Sequence, residues 1–307
     1  MSAARITRDT APSFIVRSNL LRARCLFKIV FGEERSEAKS ESGRASSGAR
    51  PLPMKRAVGA TASVFPFPLE PARDAEPARP RVSFIIPAHN EAQTIAEVLE
   101  RIALLDLDSQ VVVVDDGSTD ATPAILERWA KTHPSGVVVT QPNRGKGAAI
   151  RAAIPHVDRD IVVIQDADME YDPAEVPALI EPIARGAADV VFGSRLAGGK
   201  PQRAYMFWHL VGNKVLSLLT NVLYNTTLSD METGYKAFRV EVLRSLDLRQ
   251  DDFAIEPEIT AKVCKRRLRI YELPISYYGR TYDEGKKITW RDGFHAVQVL
   301  VAERLRA

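Results

Sequence analysis

Asp166-Ala167-Asp168 follows the apolar run Ile161–Ile164 after a single residue, Gln165. Two carboxylates one residue apart at a strand end can hold a divalent cation. Hard Mg²⁺ and Mn²⁺ prefer oxygen ligands and complete their shell with water and substrate phosphate oxygens. A cation held there would neutralise a diphosphate as it leaves. A solvated acidic turn has the same composition, and an isolated Asp-X-Asp is a weak signal. Glu170 and Asp172 thicken the acidic field. Glu170 is a candidate third metal ligand, or an acceptor-binding group. Asp172 before Pro173 also reads as the start of a helix.

Three further polar clusters each follow an apolar run. In Asp115-Asp116-Gly117-Ser118-Thr119-Asp120, a carboxylate can accept hydrogen bonds from a base or ribose, and Gly117 allows a close turn. An ordinary capped β-to-α turn would look the same. Pro87-Ala88-His89-Asn90-Glu91 places polar groups at another strand end, with a helix cap at Asn90 as the plainer reading. Asn143-Arg144-Gly145-Lys146-Gly147 pairs small glycines with cations that can approach a diphosphate at a helix N-terminus. It lacks the Gly-X-X-X-X-Gly-Lys-[Ser/Thr] pattern, so it does not predict an ATPase. Later in the chain, Arg239, Arg280 and Lys287 suit phosphate binding, or form a solvated basic face. Glu256 is a candidate base or sugar-hydroxyl group, or simply opens a helix with Pro257 in its first turn.

These clusters need a scaffold that brings strand ends together. Residues 82–86, 110–114, 136–140, 160–164 and 189–192 read as short buried strands, and the segments between the first four carry helical spacing. Alternating strands and helices predict an α/β fold, Rossmann-like, with a mainly parallel sheet and helices on both faces. Ligands on such sheets gather at the carboxyl ends of the strands, where the polar clusters fall. From about residue 203 the alternation lapses. A long helical stretch, a Gly-Tyr-Lys turn, a short helix near Glu256, a strand pair over 270–278 and an amphipathic helix over 290–304 are expected.

The chain has 307 residues and a net charge of +3. Residues 1–80 hold 14 of the 42 Lys and Arg and 8 of the 39 Asp and Glu, so the remainder is slightly acidic. A globally basic nucleic-acid binder is disfavoured on that ground. Residues 1–80 read as a disordered leader and linker, since the Ser-, Gly- and Pro-rich stretches bury little apolar surface. Within them, residues 14–31 mix apolar and basic side chains and could lie on an anionic membrane. Two distant cysteines, Cys25 and Cys264, suggest neither a disulfide framework nor zinc. The expected setting is cytoplasmic, with peripheral contact to the cytoplasmic face of a membrane as an added option.

The ordered set, from the Pro87 cluster through the acidic pair to Gly193-Ser194-Arg195, resembles family 2 inverting glycosyltransferases of the GT-A fold. It is most similar to the dolichyl-phosphate mannose synthase group, which transfers hexose to a polyprenyl phosphate. The resemblance covers about residues 81–295 and implies a GT-A domain over 81–307 with a C-terminal acceptor-side extension. It implies that Pro87, His89, Glu91, Asp115, Asp116, Lys146 and Asp166 serve the donor nucleotide, and that Asp166 and Asp168 bind Mg²⁺ or Mn²⁺. Glu170 stands where that group often has Gln. The segment from Asp230 to Lys236 resembles the acceptor-side Asp-x-x-[Ser/Thr]-Gly-[Phe/Tyr] motif, with Phe238-Arg239 after it. Arg280, Gly285, Lys286 and Lys287 resemble the group's basic loop, with Lys286 where Ser or Thr is usual.

The implied reaction is metal-dependent inverting transfer of a hexose from a GDP-mannose- or UDP-glucose-type donor to a polyprenyl or dolichyl phosphate. Asp168, Arg239, Arg280 and Lys287 are the expected catalytic groups. A phosphate acceptor is already anionic and needs cations rather than a general base. The apolar stretch over 204–224 would then meet the membrane and the lipid, or pack in the core. A glycosyltransferase with a hydroxyl acceptor and a non-catalytic nucleotide-binding protein are the competing readings. A sugar nucleotidyltransferase would need a Gly-rich, Arg-containing loop after the first strand, and Pro-Ala-His-Asn-Glu is not one.

Overall fold

Short β-branched runs bounded by polar residues build the sheet, and helices with one apolar stripe cover it. The computed structural model describes residues 79–204, 206–280 and 290–306. The expected leader, apart from residues 79 and 80, lies outside the described residues, as do Gly285, Lys286 and Lys287. Strands β1 (Arg81–Ala88), β2 (Asp108–Asp116), β3 (Val137–Gln141) and β4 (Ile161–Ile164) alternate with helices α1 (Ile95–Ala103), α2 (Thr122–Thr132) and α3 (Lys146–Ala153). Helix α4 (Val176–Ala184) and strand β5 (Val190–Ser194) follow, then the long α5 (Phe207–Tyr224). The chain continues through β6 (Lys236–Arg239), α6 (Val240–Ser245), α7 (Ile255–Lys265), β7 (Ile270–Pro274) and α8 (Trp290–Leu305).

The seven strands form one mixed sheet in the order β3-β2-β1-β4-β6-β5-β7. All neighbours are parallel except β6, which runs antiparallel to both β4 and β5. Sequence patterning missed this strand, because Lys-Ala-Phe-Arg has neither an apolar run nor a β-branched residue. The expected strand pair over 270–278 is instead one strand, β7, beside β5, with an isolated bridge from Gln202 to Tyr277.

Alternation along each strand sorts the core into two layers. Phe84, Ile86 and Val113 pack with α1, α2 and α4 on one face, while Ile85, Val112 and Val114 pack with α3 and α7 on the other. Helix α1 shows why it docks, since its buried residues Ile95, Val98, Leu99 and Ile102 fall on one stripe. A third, smaller cluster joins Leu216 of α5, Ala261 of α7 and Ala296 and Leu300 of α8.

The β1 and β2 loops are laced together at the sheet's carboxyl end. Asn90, in a left-handed conformation, accepts from the Thr119 amide at 2.8 Å through its side-chain oxygen and donates its own amide to Ser118 Oγ. Asn90 therefore bridges two loops rather than capping a helix. Asp120 receives the Thr122 amide at the start of α2. Gly117 has φ +69°, and a Cβ there would lie 2.5 Å from the Asn143 amide nitrogen. Gly117→Ala should therefore cost about 1–3 kcal/mol from strain at this left-handed position. Chemical denaturation will show this as a lower midpoint, and an unchanged midpoint would mean that the turn relaxes freely.

Candidate active site

The carboxyl ends of β1 and β4, the start of α3 and the start of α7 converge on a cavity of about 1400 Å³. Of the residues expected from sequence, the structure brings Pro87, His89, Glu91, Asp116, Lys146, Asp166, Asp168, Glu170 and Arg280 to its walls. Strand alternation carries Asp116 beyond Val112 and Val114, and Asp166 beyond Val162 and Ile164, toward the α3 face of the sheet.

At the cavity floor runs a row of opposite charges, with Lys146, Asp166 and Glu256 lining the cavity and Lys236 behind them. Lys146 Nζ lies 2.7 Å from Asp166 and 3.1 Å from Glu256, and Lys236 Nζ donates to the other Glu256 oxygen at 2.5 Å. Lys236 is fully buried, also donates to the Thr233 carbonyl, and lies over the Phe192 ring. Burial works against the charge on Glu256, but Lys236 and Lys146 outweigh it and hold this carboxyl below its usual range. Burial likewise opposes the Lys146 ammonium, yet Asp166 and Glu256 keep it above its usual value. Glu256 is thus an ionised counter-ion to two lysines.

A second cluster surrounds Arg280. Its Nη2 donates to Asp168 at 2.6 Å, its Nη1 to Glu91 at 3.2 Å, and its backbone amide to Glu170 at 2.7 Å. The other Glu170 oxygen accepts from the Tyr277 hydroxyl. Burial, reinforced by Glu170, raises the Asp168 carboxyl despite Arg280. Burial also raises Asp166, against the pull of Lys146.

The structure relocates two expected residues and adds others. Asp115 points to the opposite face, where its carboxylate accepts from the Ser118 amide and borders a hollow beside α2. Asp116 does line the cavity, but its oxygens accept from Gln141 and the Arg144 and Gly145 amides, tying β2 to the start of α3. Arg239 is a correction to the sequence reading. Antiparallel pairing sets Lys236 opposite Ile164 and Arg239 opposite Ile161, so Arg239 lies about 10 Å down the sheet from the site. There it pairs with Asp189. Lys287 lies outside the described residues.

Sequence reasoning gave no role to Lys236 or Glu232, although both lie in the Asp230–Lys236 motif it had singled out. Arg195, from Gly-Ser-Arg, holds Asp230 through two hydrogen bonds of 2.7 and 2.8 Å and packs against the Tyr277 ring. Glu232 lines the cavity, and its buried Oε1 finds no hydrogen-bond partner among the described residues. Burial pushes its carboxyl up to about 7. A motif spacing can mark such residues but not show which of them turn inward.

The donor set fits a divalent cation. Asp166 and Asp168 supply hard oxygens at the cavity wall, and burial raises both carboxyls against the pull of Lys146 and Arg280. Glu91, Asp168 and Glu170 share one guanidinium. Gly234 keeps the floor open, since a Cβ there would come within 2.7 Å of Asp166 Oδ2. Among the described residues no three His, Cys, Asp or Glu side chains already form a closed cage.

The sequence description of glycosyl transferase family 2 matches residues 83–247. The undecaprenyl-phosphate mannosyltransferase of Micrococcus luteus is 31% identical over 219 residues, covering 67% of this chain and 87% of that protein. The first relatives matched are longer, and this chain spans 53–63% of their length. Among solved structures, glucosyl-3-phosphoglycerate synthase from Mycobacterium tuberculosis, in complex with Mn²⁺, UDP and phosphoglyceric acid, superposes with a TM-score of 0.58 at 23% identity, covering 75% of this chain and 80% of that one. The mannosyltransferase PcManGT from Pyrobaculum calidifontis, in complex with GDP-Man and Mn²⁺, gives 0.50 at 27% identity, covering 76% and 66%. The fold is GT-A-like.

Two stability measurements test this charge arrangement. Glu256→Gln should lower stability by about 3 kcal/mol, the lower end for a broken buried pair because Gln keeps an acceptor for Lys236. A change within error in urea denaturation would mean that water reaches the pair. Glu232 gives a pH signature. Its folded pKa of about 7 exceeds the ordinary 4.5, so the folded state holds its proton more tightly. That contribution is complete below 4.5 and is lost as pH rises through 7. The Tm of Glu232→Gln relative to wild type should therefore rise between pH 5 and pH 8, and a constant difference would refute the assignment.

Proposed function

This chain belongs to glycosyl transferase family 2, and we propose that it transfers a hexose from a nucleotide-sugar to a polyprenyl phosphate, with inversion at the anomeric carbon. The observation that carries this reading is the two-sided cavity. One end holds the charged strand ends, and the other is walled by Phe207, Trp208 and Val215 of α5 and Phe294 of α8. Those apolar side chains are more than half exposed. A phosphate on a long apolar chain matches both ends. The name of the Micrococcus luteus relative supports this acceptor class.

The donor in this reading is of the GDP-mannose or UDP-glucose type, with its diphosphate beside Lys146 and the start of α3. Asp166 and Asp168 would hold Mg²⁺ or Mn²⁺, which the presence of Mn²⁺ in the PcManGT complex supports. Such a cation offsets the charge that grows on the departing diphosphate. Lys146 holds Asp166 in place as positive charge develops on the sugar. The acceptor phosphate attacks as an anion, so no carboxylate has to take its proton. This agrees with Glu256, which is already bound to two lysines.

Among the described residues no helix is long and apolar enough to cross a membrane. The exposed α5 side chains would instead meet the lipid at a membrane surface. One observation favours a hydroxyl acceptor as a second reading, namely Glu232. A carboxyl with a pKa of about 7 that lines the cavity has the properties of a general base.

The two readings separate in one assay. GDP-mannose and UDP-glucose are each offered with a polyprenyl phosphate or the corresponding polyprenol, and lipid-linked product is measured. Product from the phosphate alone is expected. EDTA should abolish it and Mn²⁺ or Mg²⁺ restore it, while Asp168→Asn should lower turnover about a hundredfold or more. Transfer to the polyprenol alone, lost in Glu232→Gln, would replace the first reading with the second.

A further inference from the structure

The Arg280 cluster shares its contacts differently from the buried lysine row. Lys146 and Lys236 lie against Asp166 and Glu256. Among the described residues, three carboxylates, Glu91, Asp168 and Glu170, all contact the Arg280 guanidinium. Its shortest contact, 2.6 Å, is to Asp168, one of the two carboxylates suited to the cation.

We propose that Arg280 is an exchangeable counter-ion. It occupies the Asp168 carboxylate in the unloaded protein and gives it up when a divalent cation binds, which frees one edge of the guanidinium for an anionic group in the cavity. The proposal rests on the cation reading of Asp166 and Asp168 above.

Charge and geometry support the exchange. A carboxylate oxygen saturated by a guanidinium is a poor cation ligand, so the two positive groups compete for Asp168. Arg280 need not leave the site when the cation binds. Glu91 and the Glu170–Tyr277 pair hold its other atoms at the cavity edge. Only the Nη2 contact with Asp168 changes partners. An arginine that turns from carboxylate to phosphate keeps the same forked donor geometry. The cation and the acceptor anion would then favour each other's binding through one side chain, by thermodynamic linkage.

The probe is Mn²⁺ alone, without nucleotide, titrated into the full chain and followed by electron paramagnetic resonance of the free ion. Arg280→Gln removes the competitor and should tighten Mn²⁺ binding about tenfold, within the usual 5–150-fold range for coupled sites. Arg280→Lys should fall between this variant and wild type. Thermal melts give a second readout. Arg280→Gln should melt lower than wild type without metal, because three carboxylates lose their cation, and should gain more from Mn²⁺. Arg269→Gln, which breaks a surface pair with Asp189, should leave Mn²⁺ affinity unchanged. Equal or weaker Mn²⁺ binding by Arg280→Gln overturns the exchange while leaving the cation site intact. Failure of both wild type and variant to bind Mn²⁺ overturns the exchange and the cation reading together.

Discussion

Lys236, Glu256, Lys146 and Asp166 form a row of charges at the cavity floor, and each comes from a different element. Asp166 follows β4, Lys146 opens α3, Glu256 lies in the first turn of α7, and Lys236 begins β6. The row ties the parallel half of the sheet to the antiparallel strand and to the helix that packs on it. Charges so deeply placed are expensive to remove from water, and well-packed apolar residues would serve stability as well or better. The gain is positional. The row fixes where the Asp166 carboxylate sits, and Gly234 lets it lie close to the chain behind it.

Two electrostatic regimes therefore adjoin in one cavity. The lysine row is balanced and buried, so it acts as a fixed scaffold. Among the described residues, three carboxylates meet at Arg280 in a cluster closer to solvent, which suits it to exchange one positive group for another. Glu232 lies between Lys236, Glu256 and Arg195 in electrostatic terms, and burial leaves it poised near neutrality. A site that must accept a diphosphate, release it, and receive a second anion needs both kinds of surroundings. Fixed charges give orientation, and exchangeable ones allow turnover.

The apolar wall completes the division of labour. Helix α5 buries Leu216, Ser217 and Thr220 against the body of the domain and leaves Trp208, Val215, Leu218 and Val222 exposed. Its inward side joins the small cluster with α7 and α8. On its outward side, Trp208 and Val215 continue the cavity wall beyond the charged floor. The helix is apolar on two sides for two reasons, packing on one and exposure toward the cavity mouth on the other.

The sequence alone determined the parallel βα frame, because β-branched runs of strand length and helical stripes repeat in order from β1 to β4. It also placed the acidic pair at a strand end, since only Gln165 separates Asp166 from Ile164. It could not resolve features that depend on pairing. Asp115 and Asp116 are adjacent, and strand alternation requires that they face opposite ways, but only the packed sheet shows that Asp116 faces the cavity. Strand β6 has no apolar signature and forms because β4 and β5 offer edges on both sides. Its register brings Lys236, for which no role was expected, to the site and carries Arg239, an expected catalytic group, away. Arg280 and Asp168 are 112 residues apart in sequence and 2.6 Å apart in space. Local chemistry is written in the chain because strand and helix periods are short-range. The charge pairs that organise the site arise from contacts across the sheet, which only the tertiary structure decides.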